Sequence, residues 1–368
     1  MTGENSGKNQ PSQDFVTRKS SVFDSLQFIR IEEWLVLVLL ALGASLCWSS
    51  ETGFYPSYGF WTHVRFLAPG LVVLFLISRL ALLVPDSLLQ RTRPTRALAA
   101  FIDVDARDIL KLDFNVLRSC VLLLAAISVY ANLVVRVPFV RDTSHDAFFS
   151  ALSGGDGPAM VLTSMAAKSA PMQQALEVVF WYGPWFFIGL FAFLYIQRRL
   201  FCLRWLLASV VITCVLGALL SVLFPSLGPA FVDPQRFAWF HGSSVHQLQQ
   251  GLMHTLNQSI DLASQGATIA PYPATITLHD GGIYLRQPGG IASFPSLRIA
   301  IMIVFIVVAA RTFPRYAMAM GLVMVLTFLT TVSLGFHYLI DVTVGAGLGF
   351  GVVIGTYYLM RWGESSGG

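Results

Sequence analysis

An all-α polytopic membrane helical bundle, with about eight transmembrane helices, is the fold class the sequence predicts. Three observations predict it. The chain is 55% hydrophobic and only 12% charged. Its mean hydropathy is +0.65. Apolar runs long enough to cross a hydrocarbon core of roughly 30 Å recur from end to end.

The elements follow in order. Residues 1–33 are polar and lack an early apolar core, so a cytoplasmic tail is expected there rather than a cleavable signal. Spans are then expected at about 34–50, 60–79, 114–135, 176–197, 203–224, 295–312, 315–335 and 338–360. Residues 363–368 form a short polar tail. Most of the cations lie in one set of segments: the N-terminal tail, the connection holding Arg91, Arg93, Arg96, Arg107 and Lys111 with the adjoining Arg79 and Arg118, the turns with Arg198, Arg199, Arg204, Arg311 and Arg315, and Arg361. The longer opposite loops hold few, among them Arg136, Arg141 and Lys168. Cytoplasmic loops are enriched in Lys and Arg, which orients the chain with both termini inside. A multi-pass plasma-membrane (inner-membrane) protein is expected.

Two outer loops are long. Residues 136–175 include an amphipathic stretch near "AMVLTSMAAKSAPMQQAL", and residues 225–294 form the largest non-membrane segment. Gly345, Gly347, Gly349, Gly351 and Gly355 in the last span read as a close helix contact, since small residues let backbones approach in membranes. Cys47, Cys120, Cys202 and Cys214 make no CxxC and lie in or beside spans, which points to neither a disulfide framework nor a thiolate metal site. The net charge of +4 reports topology, and no basic stripe with interleaved aromatics supports nucleic-acid binding.

Chemistry concentrates at three outer helix ends. In "GFHYLIDVTVG", residues 335–345, His337 and Asp341 stand at i and i+4 and share one helix face. A carboxylate there can accept from one imidazole nitrogen and leave the other bare as base or nucleophile. A structural histidine satisfied by its neighbour would have the same spacing. In "SFPSLR", residues 293–298, Ser293 can cap the sixth span, Pro295 suits its first turn, and Ser296 adds a hydroxyl beside unpaired N–H groups. Arg298 adds a forked cation suited to phosphate oxygens. In "LFPSLGPAFVDPQRF", residues 223–237, prolines stiffen the exit from the fifth span and Arg236 is a second candidate phosphate clamp. Each segment alone also reads as an ordinary capped or solvated helix end. Together they outline an anion site with a nucleophile.

The order "FPSLGPAF", "SFPSLR", "GFHYLIDVTVG" resembles the type 2 phosphatidic acid phosphatase (PAP2) superfamily, and within it the branch of the fungal inositol phosphorylceramide synthases. The resemblance covers about residues 200–360. It implies a PAP2-like core at 201–362, including the outer loop 225–294, preceded by additional transmembrane helices at 34–200. By the resemblance His337 is the nucleophile that forms a phosphohistidine, Asp341 is its orienting partner, and Ser296 with its backbone holds phosphate oxygens. The implied site lies on the extracytoplasmic face. Two positions depart from the family pattern. Arg298 stands where a general-acid histidine is usual, and Thr331 stands where the phosphatase branch carries arginine. The KxxxxxxRP pattern of the phosphatases is absent.

Arginine cannot serve as a general acid, because it stays protonated. It can stabilise the charge of a transferring phosphoryl group. The substrate expected is therefore a lipid phosphate or, with its acidic leaving group, a lipid diphosphate, met at the surface of the membrane lipids. His241, His246, His254 and His279 are the alternative proton donors in the outer loop. The acceptor is water or a polyol hydroxyl, the latter including inositol-phosphate transfer. Two rival readings are a catalytically degenerate lipid-phosphate binder and a transporter or flippase. The sequence implies no cofactor and no metal, having neither a carboxylate cluster for Mg²⁺ nor an HExxH motif.

Overall fold

The computed structural model describes residues 31–48, 106–134, 145–154, 161–165, 168–183, 185–196, 199–233, 237, 243–251 and 292–366. The described residues are helical, with no strand among them. The helices are α1 (Ile31–Trp48), α2 (Ala106–Val134), α3 (Asp146–Leu152), α4 (Ala170–Tyr182) and α5 (Trp185–Ile196). They continue with α6 (Leu200–Leu223), the single turn α7 (Pro229–Val232), α8 (Leu297–Thr312), α9 (Ala317–Ser333) and α10 (Leu339–Ser366).

α6 is apolar on all sides, and a helix of that kind belongs inside. It packs against α1, α2, α5, α8 and α10, burying Leu206, Val211, Val215 and Ala218. The Trp205 indole donates to the Val353 carbonyl at 2.8 Å and pins α6 to α10. An ion pair between Arg118 and Glu33 joins α2 to α1. Outward faces remain apolar: Val38 and Leu42 of α1, Leu117 and Val121 of α2, Leu322 and Val325 of α9, and Ile354 of α10 are exposed. Continuous apolar faces of this kind are a liability in water and are what acyl chains cover.

Among the described residues, three helices are long and apolar enough to cross a membrane, at Val116–Val134, Leu200–Leu223 and Leu339–Gly363. The described residues do not confirm the expected count of about eight. α8 and α9 are 16 and 17 residues long, short of the roughly 20 that a span needs. The expected span 60–79 lies outside the described residues. The expected span 176–197 is two helices, α4 ending at Tyr182 and α5 beginning at Trp185, and the sequence places a proline at 184. A proline inside a helix lacks the N–H its ladder needs and biases the preceding residue out of the helix. The amphipathic stretch expected in 136–175 becomes a helical run at 161–165 and the start of α4.

α8 and α10 cross closely, and only two of the five small residues make the crossing. A Cβ at Gly345 would collide with the backbone of Ser296, and one at Gly349 with the backbone of Ala300. Gly347, Gly351 and Gly355 face open space. Gly345→Ala and Gly349→Ala are each expected to destabilise the protein by about 1–3 kcal/mol through overpacking. Gly347→Ala is expected to be neutral or slightly stabilising, because it removes a helical glycine without a clash. Thermal unfolding in detergent checks the contrast, and equal Tm losses at all three positions would contradict the crossing.

Candidate active site

Three loops meet at one end of α6, α8 and α10. Pro225 stops α6, and the chain turns at Gly228, whose φ of +96° is costly for any residue with a Cβ. A Cβ there would also strike the Phe336 carbonyl. Ala230 N–H donates to the Gly335 carbonyl at 2.8 Å, which stitches the α6 exit to the α9–α10 turn. Ser293 N–H donates to the Ser226 carbonyl at 2.8 Å, and the two serine hydroxyls are 2.6 Å apart. Ser296 N–H donates to the Asp341 carbonyl at 3.0 Å. The three stretches singled out in the sequence are thus hydrogen-bonded to one another.

His337 lies in the turn before α10, two residues ahead of the helical run, with its side chain 15% exposed. Its Nδ1 is 2.6 Å from the Ser293 carbonyl oxygen. A carbonyl only accepts, so the proton sits on Nδ1 and Nε2 keeps its lone pair. Burial pushes the imidazole down to about 4. The Ser293 hydrogen bond opposes that shift, while the nearby Arg298 cation adds to it. The ring is neutral at pH 7.

The direct imidazole–carboxylate bond expected of Asp341 is not formed. Its Oδ2 is 3.9 Å from His337 Nδ1 and instead accepts from Tyr338 N–H at 2.8 Å. In the first turn of α10, Asp341 is enlisted by an unpaired backbone N–H, as acidic side chains at helix starts commonly are. Asp341 is fully buried, and its Oδ1 has no hydrogen-bond partner among the described residues.

The expected roles at 293–298 are also redistributed. Ser296, not Ser293, occupies the N-cap position of α8, with Pro295 before it rather than in the first turn. The reason is that Ser293 is committed to Ser226 through both backbone and side chain. Ser296 makes no capping bond, and its buried hydroxyl has no partner among the described residues. Its N–H is already given to Asp341, so the donors left for an anion are the first-turn N–H groups of α8 and this hydroxyl.

Arg298 lies with its guanidinium carbon 4.0 Å from the centre of the Phe180 ring, and Nη1 donates to the Phe180 carbonyl at 3.2 Å. That carbonyl would bond the N–H of residue 184 in a continuing helix, but residue 184 is proline and has none. The α4–α5 break therefore opens the acceptor that Arg298 fills.

Of the remaining candidates, Arg236, His241, His254 and His279 lie outside the described residues. His246 stands on the helical run 244–251, half-buried. Ser244 of that run bonds Glu177 and accepts from the Trp181 indole, and Gln249 donates to the Leu334 carbonyl. The run thus packs against α4 and the start of the His337 turn. Thr331 is buried and donates to the Thr327 carbonyl at 2.7 Å, closing on its own helix.

The sequence model of the PAP2 superfamily matches residues 158–355, over half of the chain. The chain belongs to the PAP2 superfamily. All three stitched loops fall within the matched segment. Membership indicates a phosphatase-type activity on lipid phosphates in a membrane setting. No curated protein and no solved structure matches the chain. One group at the PAP2 site escaped the sequence reading: Asp146 of α3, whose carboxylate accepts from the α6 exit. It precedes the matched segment and carries no spacing signal.

The depressed His337 basicity has a measurable consequence. The ordinary value is 6.5 and the folded one about 4, so the unfolded chain binds the proton first as pH falls. Stability contributed by neutral His337 is full above pH 6.5 and is lost as pH drops from 6.5 to about 4. His337→Gln is expected to flatten that part of the stability–pH curve in denaturant titrations. An unchanged slope would show that the imidazole is not held neutral.

Proposed function

We propose that this protein is an integral-membrane lipid phosphatase or phosphotransferase that works through a phosphohistidine at the extracytoplasmic face. The observation that carries the proposal is the 2.6 Å bond from His337 Nδ1 to the Ser293 carbonyl. It leaves the lone pair of Nε2 free to act as a nucleophile. The retained Arg and Lys asymmetry of the loops supports the outer placement of the site.

In the first step Nε2 attacks phosphorus, and the bond to the leaving oxygen breaks with its electron pair going to that oxygen. The ring keeps its Nδ1 proton against the Ser293 carbonyl and becomes positive. Asp341, 3.9 Å from Nδ1, then faces a cation it did not face before, so it stabilises the phosphorylated state rather than orienting the free ring. Arg298 and the first-turn N–H groups of α8, with the Ser296 hydroxyl, bind the phosphoryl oxygens. In the second step water or a polyol hydroxyl attacks phosphorus, its proton passes to a phosphoryl oxygen of the product, the P–N bond breaks with its electron pair returning to Nε2, and neutral His337 is restored.

Arg298 shapes the substrate. Losing a general acid costs about 10² to 10⁴ in rate when the leaving group is an alkoxide. A phosphate leaving group needs little protonation, so a lipid diphosphate is the substrate class this site suits. The acceptor chemistry of an inositol-phosphate transferase is compatible with the same intermediate, and the motif resemblance favours that branch. The engagement of Arg298 by Phe180 supports a second reading, a lipid-phosphate binder without turnover.

Phosphate release by purified protein from a panel of lipid monophosphates and diphosphates separates these readings. Diphosphates are expected to turn over faster, and His337→Ala is expected to abolish release from both. Arg298→His is expected to raise monophosphate turnover towards the diphosphate rate. Equal rates on both substrates would remove the leaving-group reading, and binding without release by the wild type would establish the second one.

A further inference from the structure

The carboxylate of Asp146 is 95% buried, in a segment that precedes the superfamily match and outside the three sequence motifs. Four groups from two of the three loops converge on it. Ser226 Oγ donates to Oδ1 at 2.9 Å, Gly228 N–H donates to Oδ1 at 2.9 Å, and Leu227 N–H donates to Oδ2 at 3.1 Å. The Tyr338 hydroxyl, next in sequence to the nucleophile, also bonds it. An ionised carboxylate is acceptor-only and satisfies such a set with no donor of its own to misplace.

The helix carrying it is fastened at both ends, to the α6 exit and to the first turn of α10. His145 N–H donates to the Pro225 carbonyl at 2.9 Å, and Ile340 N–H donates to Ser153 Oγ at 3.2 Å. One chain of bonds then leads to the nucleophile. Ser226 Oγ donates to Asp146 and lies 2.6 Å from Ser293 Oγ, the Ser293 side chain also bonds Asp341, and the Ser293 carbonyl holds His337 Nδ1–H. A second path runs through Tyr338, whose ring packs with Phe149 of α3 and with Phe294.

We propose that Asp146 is a positioning residue that sets the Ser293 carbonyl and the His337 turn in register, and so selects the imidazole tautomer with Nε2 bare. It touches no reacting atom and acts through Ser226, Ser293 and Tyr338. Asp146→Asn keeps the size but turns an N–H donor towards groups that are themselves donors.

The proposal rests on the phosphohistidine reading for its kinetic arm and on the fold alone for its spectroscopic arm. In the kinetic arm, Asp146→Asn is expected to lower kcat about 10²-fold at unchanged KM, the size of effect that small misplacements of catalytic groups produce. Adding Ser226→Ala to it should cost no more than Asp146→Asn alone, because both cut the same chain. In the spectroscopic arm, the ¹⁵N-histidine signals of His337, assigned by their loss in His337→Ala, should report a protonated Nδ1 and a bare Nε2 in the wild type. They should report mixed tautomers in Asp146→Asn. Unchanged tautomer signals, or a kcat loss that only tracks a fall in Tm, would overturn the proposal. Should Asp146→Asn fail to fold, Ser226→Ala and Tyr338→Phe take its place, and wild-type kcat and tautomer in both would overturn it. A wild type inert towards every lipid phosphate sinks the phosphohistidine reading and leaves the tautomer result to decide this one.

Discussion

The hydrogen bond from His337 to a peptide carbonyl, Ser293, is the interaction on which the rest of the site depends. It joins the loop before α8 to the turn before α10, and it decides which imidazole nitrogen is bare. A side-chain partner could rotate away, whereas a carbonyl held in a stitched loop cannot. The Ser226 and Asp341 backbone bonds supply that stitching, so the placing of the imidazole is a property of three loops together.

That arrangement needs the helices beneath it to approach closely. α8 and α10 cross where Gly345 and Gly349 meet backbone rather than side chains, and the Ser296 end of α8 is thereby brought against the start of α10. Apolar packing alone gives no directional force between helices in lipid, so backbone proximity and short hydrogen bonds carry the specificity. Trp205 adds a polar tie from α6 to the carbonyl of Val353 on α10.

Arg298 illustrates how one substitution in a motif is accommodated. A guanidinium needs more acceptors than an imidazole and tolerates burial only when paired. With proline at 184 the Phe180 carbonyl lacks its helical donor, and the Phe180 ring gives the cation a face to rest on. Position 298 thereby holds a fixed positive charge near His337.

The sequence by itself determined the helical membrane character, the three chemical stretches and the His337–Asp341 spacing, because hydropathy, capping residues and i,i+4 registry are local properties. The tertiary structure alone decided that Ser293, not Asp341, takes the imidazole proton, since two residues 44 apart in the chain had to be brought together. It also decided that Asp146 belongs to the site, since a lone carboxylate in a polar loop acquires meaning only from the donors that surround it. The helix pair α4 and α5 lies between these cases. The Gly-Pro step was visible, but hydropathy runs unbroken across it, and only the partner that fills the freed carbonyl shows why the chain stops there.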